Sequence, residues 1–313
     1  MNIRFWGVRG SIPAPITPSR IKSKISAILE QVTPEDIVDA ESRERFLAGL
    51  SPWLFGTVGG NSSCISVNFD DTSECIIFDC GSGIRELGMS QSIEKRKTSQ
   101  YYIFISHFHW DHIQGFPFFG PAYDPSVHID FYSPVPEIEK KLSGQMVYPY
   151  FPIHLDNMPS GKSFNLLDNE VKISGRTITY KKMNHPGDSY SYCVNENGKK
   201  FIYATDTELT SGDFVKNDEN SAFFQNADII VIDCQFTLGE AIDKNNWGHS
   251  AFNIAVDFAA NWNIKHMVMF HHDPAYDDQK LHGLLQSARW YLERMNLKGI
   301  ELTLAYEGLE ISI

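Results

Sequence analysis

The segment Ser106-His107-Phe108-His109-Trp110-Asp111-His112 constrains this chain more than any other stretch. It follows Tyr101-Tyr102-Ile103-Phe104-Ile105, an apolar run of strand length. Four side chains able to bind a metal thus crowd into six residues at the end of a buried strand. Side chains alternate along an extended segment, so His107 and His109 point to the same side and can share one metal ion. Asp111 and His112 come where the chain must turn, and together they can reach a second, neighbouring ion. A lone core histidine is usually hydrogen-bonded and inert; a run of this density has no packing explanation. Imidazole nitrogens with one carboxylate suit zinc, with manganese or iron as alternatives set by availability.

Two metal ions need further ligands, and those must come from elsewhere in the fold. Three candidates follow predicted strands: His185 after 176–182, Asp206 after 200–204 and His271 after 266–270. A carboxylate has two oxygens, so Asp206 can bridge two ions. His272 and Asp273 adjoin His271, but neighbouring side chains diverge, so only His271 is assigned to metal.

The rest of the chain supplies strands and covering helices. Strands are expected at 3–8, 63–69, 74–78, 101–106, 128–132, 171–174, 176–182, 190–194, 200–204, 229–234, 266–270 and 301–304. Helices are expected at 83–88, 135–143, 250–262 and 277–296. Ile21, Ile25, Ile28 and Val32 recur at helical spacing, and Thr33-Pro34-Glu35-Asp36 offers an N-cap, a proline and acid in the first turn. Two helices follow from this, 19–32 and 34–49, with an apolar stripe facing either the core or a partner subunit. Strands in two groups with helices outside them predict layered sheets covered by helices, in one domain over 1–313.

Composition excludes several classes. Hydrophobic residues make up 42% of the 313 and charged residues 21%, enough to bury a full core. No apolar run is long enough to cross a membrane as a helix, and the opening lacks the apolar stretch of a secretory signal, so a cytoplasmic location is expected. Cys64, Cys75, Cys80, Cys193 and Cys234 form no C-x-x-C pair and lie mostly in apolar runs, as buried free thiols do. Acidic residues outnumber basic ones 39 to 27, a net charge of −12. Such a surface repels long nucleic acid and favours a small substrate.

The order of these motifs resembles the metallo-β-lactamase superfamily, and within it the phosphodiesterase branch that includes ribonuclease Z. Gly7-Val8-Arg9-Gly10-Ser11, Gly59-Gly60-Asn61-Ser62-Ser63-Cys64 and Phe78-Asp79-Cys80-Gly81-Ser82-Gly83 are similar to bacterial members of that branch. Only residues 14–56 fall outside the likeness, as a helical insertion. The resemblance implies an α/β fold, an αββα sandwich with the site at one edge of two sheets. It also implies one metal on His107, His109 and His185, another on Asp111, His112 and His271, and Asp206 between them. Asp79 would then stand behind the ligands and position their loop.

Trp247-Gly248-His249-Ser250 matches a His-Ser motif that supplies a histidine near the scissile phosphate in ribonuclease Z-like enzymes. Ser250 is a favourable N-cap, which would set His249 at the positive end of a helix; the alternative is a purely structural helix start. Asp233 is expected to orient His249. The implied activity is hydrolysis of a phosphodiester, most simply a small cyclic nucleotide or cyclic phosphate. A hydroxide shared by two divalent metal ions would attack, Asp111 would accept a proton from the water, and His249 would serve the leaving group. The alternatives are a tRNA 3′-processing endonuclease, a thiolester hydrolase and a non-catalytic metal-bound interaction module. A homodimer is expected of this branch. The aromatics at 118–119 and 148–151 stand either in a nucleobase pocket or in the core or an interface.

Overall fold

The computed structural model describes residues 1–70, 72–93 and 98–313. Fourteen strands form among them: β1 (Asn2–Gly7), β2 (Cys64–Asn68), β3 (Cys75–Phe78), β4 (Gln100–Phe104), β5 (His128–Ser133), β6 (Gly161–Leu166), β7 (Val171–Ile173), β8 (Arg176–Lys182), β9 (Tyr190–Glu196), β10 (Lys199–Ala204), β11 (Ile229–Asp233), β12 (His266–Phe270), β13 (Glu301–Leu304) and β14 (Glu310–Ser312). One sheet runs β14-β1-β2-β3-β4-β5-β6, the other β13-β12-β11-β10-β9-β8-β7. Each sheet is half antiparallel and half parallel. Strands β3 to β6 pair parallel in the first and β10 to β13 in the second.

Period-two alternation decides how the layers stack. Ile76 and Phe78 of β3 face the second sheet, whereas Cys75 and Ile77 face outward into a separate apolar cluster. Phe78 meets Phe201 and Tyr203 across the gap, with ring centroids 5.8 and 5.4 Å apart. The outward cluster is closed by Ile84 and Leu87 and by Phe116 and Phe119. The outer face of the second sheet is covered by the helices Phe252–Asn261 and Asp278–Arg294. In the latter, Leu281, Leu284, Leu285, Ala288 and Leu292 recur at helical spacing and are buried. Asp277 caps its start by accepting from Lys280 N at 2.8 Å. Helix, sheet, sheet and helix make the expected αββα sandwich.

All five cysteines are free and buried, as their apolar settings require. Among the described residues no helix is long and apolar enough to cross a membrane.

The N-terminal helical segment differs from expectation in its second helix. Residues 34–49 are not one helix: a 3₁₀ turn, Pro34–Ile37, precedes a separate helix, Ala40–Gly49. Asp39 is the reason, since its carboxylate accepts from Ser42 N at 2.8 Å and so starts a new helix. Of the two faces expected for the apolar stripe that begins on the helix Pro18–Leu29, the core is not the one met: Ile21 and Ile25 are exposed, and Ile28 and Val32 half-buried. The segment is fastened instead by polar contacts, among them an ion pair of Lys24 with the buried Asp278.

Candidate metal centre

The strands end where the two sheets meet, and the chemistry-bearing residues stand at those ends. Asp79 follows β3, residues 106–112 follow β4, His185 follows β8, Asp206 follows β10, and His271 follows β12; Asp233 is the last residue of β11. Asp79, Asp206 and His271 adopt positive φ, of 60°, 47° and 59°. That conformation is costly for a side chain other than glycine, though Asp and His tolerate it better than most. It breaks each strand at one residue and gathers such strain at a functional centre.

Two clusters result, joined by one carboxylate. His107, His109 and His185 form the first, and Asp111, His112, Asp206 and His271 the second; within each, one ligand atom per residue lies within 4.8 Å of the others. Asp206 Oδ1 lies 3.7 Å from His107 Nε2 and 3.8 Å from His185 Nε2. Its other oxygen, Oδ2, lies 3.1 Å from both His112 Nε2 and His271 Nε2. Asp111 Oδ2 completes the second cluster, 3.1 Å from His112 Nε2 and 3.3 Å from His271 Nε2. Four ligands held tetrahedrally at zinc bond lengths are separated by about 3.4 Å, so these spacings fit a metal at each cluster.

The electrostatics agree. Burial pushes the Asp206 carboxyl up, but His112, His271 and His107 outweigh it and hold it well below the ordinary range. Asp111 is held down in the same way by His112 and His271 against its own burial. Burial lowers His107 far below an ordinary imidazole, and lowers His109 and His185 as well. The result is charged carboxylates beside three imidazoles held neutral by burial, while Asp111 and Asp206 outweigh burial and raise His112 well above its ordinary value. The buried Nε2 atoms of His107 and His112 have no hydrogen-bond partner of good geometry among the described residues. Unpaired lone pairs are expensive to bury unless a cation takes them, so the donor set fits divalent metal.

Hydrogen bonds behind the clusters aim these rings. Asp79, fully buried, accepts from His112 Nδ1 at 2.7 Å, Ser106 N and Oγ at 2.7 Å each, and Tyr203 Oη at 2.8 Å. With Nδ1 donating, the lone pair of His112 sits on Nε2, toward the cluster. His185 Nδ1 donates to Gly248 O at 2.9 Å with the same consequence. Asp233 takes His249 Nδ1 at 2.6 Å, leaving His249 Nε2 free. Asp233 outweighs burial and raises His249 to about 9.

A cavity of about 400 Å³ opens over the clusters, lined by Ser11, Phe108, His109, Trp110, Asp111, Asp206, His249 and His271. The structure thus brings together the seven ligand candidates and His249, with Asp79 and Asp233 behind them. The aromatics at 118–119 and 148–151 divide between core and surface: Phe151 packs against the outward cluster, and Tyr148 and Tyr150 are exposed. Phe119 belongs to the outward core cluster, and Phe118 packs on Phe151 at 5.6 Å, away from the cavity lining. Phe108 and Trp110, inside the metal motif itself, are the aromatics of the cavity.

Ser250 also departs from expectation. The helix begins at Phe252 with Ala251 as its N-cap. Ser250 Oγ donates to Thr207 O at 2.6 Å and accepts from Leu209 N at 3.0 Å, pinning the loop after Asp206. His272 turns away, its Nε2 2.8 Å from Ala305 O. Three supporting residues escaped the sequence reading. Ser11 N donates to Asp111 Oδ2 at 2.7 Å. Gly10 lies so close to His271 that a Cβ there would stand 2.4 Å from Cε1, and one on Gly248 would stand 2.1 Å from His185 Nδ1. The signal for the glycines was their place in Gly10-Ser11 and Gly248-His249, beside the residues they support.

Comparison with known proteins agrees with this geometry. Residues 74–272 match the family model described as "Beta-lactamase superfamily domain". Ribonuclease Z of Picrophilus torridus is 25% identical over 261 residues, which span 68% of this chain and 80% of that relative. The metallo-β-lactamase fold protein YhfI of Bacillus subtilis superposes with a TM-score of 0.64 at 16% identity, over 99% of this chain and 98% of that one. The short form of human tRNase Z superposes with a TM-score of 0.61 at 19% identity, over 100% and 99%. At such identities the superpositions speak to the fold alone. The chain belongs to the β-lactamase superfamily, as a metal-dependent hydrolase of metallo-β-lactamase fold.

Proposed function

We propose that the protein hydrolyses a small phosphodiester, a cyclic nucleotide or cyclic phosphate, with two divalent metal ions, zinc in the first instance. The observation that carries this reading is Asp206, whose two oxygens address separate ligand groups: His107 and His185 on one side, His112 and His271 on the other. His109 would complete the first group and Asp111 the second. Bound there, the ions would supply a water ionised at neutral pH and offset charge on the phosphoryl oxygens.

The chain's own groups provide the rest. Asp111 lines the cavity and can take a proton from the attacking water. His249 has its Nδ1 fixed on Asp233 and its Nε2 free, beside His271 with ring centroids 5.0 Å apart. From there it stabilises or protonates the departing alkoxide. Asp79 and Asp233 hold rings in place and touch no substrate.

Cavity size and charge favour a small substrate. About 400 Å³ accommodates a small ligand, and a net charge of −12 opposes a long polyanion. The curated relatives called ribonuclease Z support a second reading, tRNA 3′-end cleavage. We read residues 14–56 as an insertion on a single domain in a cytoplasmic protein, with exposed Ile21, Ile25 and Leu29 supporting a homodimer contact. The test is turnover by metal-replete protein on bis(p-nitrophenyl) phosphate, a 3′,5′-cyclic nucleotide, pre-tRNA and S-lactoylglutathione. Cleavage of the first two supports the proposal. Cleavage of pre-tRNA alone establishes the second reading, cleavage of the thiolester alone overturns both, and turnover of none indicates a non-catalytic module.

A further inference from the structure

Trp110 is 80% exposed, although indole is among the most costly side chains to leave in water. Its neighbours show why it is not packed. In the four-residue helix Trp110–Ile113, Asp111, His112 and Ile113 are all buried, so Trp110 is the residue left facing out. It faces a defined place, being part of the lining of the cavity whose floor holds Asp111, Asp206, His249 and His271. Phe108 stands beside it in the same wall, anchored against the outward apolar cluster. The cavity therefore has a polar floor that would take an anion once metal is bound there, and an aromatic wall with a solvent-exposed face.

We propose that Trp110 determines substrate specificity by stacking on a planar aromatic group of the substrate, the base of a nucleoside phosphate whose phosphate lies over the metal clusters. The proposal rests on the phosphodiesterase reading and narrows it from phosphodiesters in general to nucleotides. A group bonded to the phosphate has to leave the floor past the wall, and a flat ring there covers the indole. Offset stacking is favoured by the ring quadrupoles. It tolerates any base, because each has a π-face, so the wall selects for a base and not among bases. Trp110 is not among the candidate metal ligands, and its role is in binding.

The test measures binding rather than turnover, which separates it from the reading beneath it. Metal-loaded protein is titrated calorimetrically with adenosine 5′-monophosphate and with ribose 5-phosphate, which has the phosphate and sugar without the base. Wild-type protein is expected to hold the nucleotide more tightly. Trp110→Ala is expected to weaken the nucleotide roughly 5- to 100-fold, to leave ribose 5-phosphate within about twofold, and Trp110→Phe to restore most of the difference. Equal wild-type affinity for the two ligands, or binding of neither, overturns the proposal. So does a Trp110→Ala protein that binds the nucleotide unchanged, or that loses both ligands alike. A change in oligomeric size with nucleotide affinity intact assigns the indole to a contact between copies and also overturns it. Base-selective binding without cleavage of any phosphodiester would count against the phosphodiesterase reading alone.

Discussion

Asp79 shows how much of a metal centre lies in groups that touch no metal. Its carboxylate accepts four hydrogen bonds, from His112, Tyr203 and both donors of Ser106. Asp79→Ala removes the acceptor that fixes the His112 tautomer, and metal affinity is expected to fall roughly 10- to 100-fold, measured by competition with a chelator. His249 gives the opposite pattern. His249→Ala should keep full metal content by elemental analysis while kcat on a phosphodiester falls roughly 10²–10⁴-fold. Full turnover in that variant would remove His249 from the reaction. At this scale the sequence was legible where chemistry is dense, since no packing argument explains four metal-capable side chains at 107–112. Gly10, Gly248 and Ser11 were not legible in the same way. Their work is done by a missing Cβ or a backbone N–H, and a sequence displays side chains.

Elements matter here chiefly for how they stop. Strands β3, β10 and β12 each give way to a residue at positive φ, which turns Asp79, Asp206 and His271 into the space between the sheets. The loop after the opening strand β1 supports them from the side, through Gly10 against His271. Gly10→Ala would force the His271 ring to move. It is expected to destabilise the fold by about 1–3 kcal/mol, as overpacking does, and to lower metal content of the Asp111–His112–Asp206–His271 cluster. Thermal unfolding and elemental analysis read the two effects, and a variant with native metal content would show that the ring can yield. The long core strands were legible from alternation and length. Strand β6 was not, because its residues are all half-buried or exposed, and β14 has only three residues on a sheet edge. The helix over 34–49 was misread because the Thr33–Asp36 capping box closes only a short turn before Asp39 starts the next helix.

Over the whole molecule, the sandwich brings residues more than a hundred positions apart into one centre, and that assembly leaves a concentration of buried charge. Asp79, Asp111, Asp206 and Asp233 are all buried within it. Bound cations offset this, so removing them with a chelator is expected to lower the melting temperature. At a free metal concentration about a hundredfold above Kd the loss is about 2.7 kcal/mol. Calorimetry with and without the chelator measures it, and an unchanged transition would mean that folding and metal binding are not linked. The paired-sheet architecture was readable from the grouping of strands, whereas the stripe of exposed Ile21 and Ile25 and half-buried Ile28 and Val32 shows that helical periodicity alone does not say what a helix faces. The most direct test is anomalous diffraction from crystals of the metal-replete protein. The account predicts two peaks flanking Asp206, one among His107, His109 and His185, the other among Asp111, His112 and His271. No peak at either place, or metal bound only elsewhere on the molecule, would contradict it.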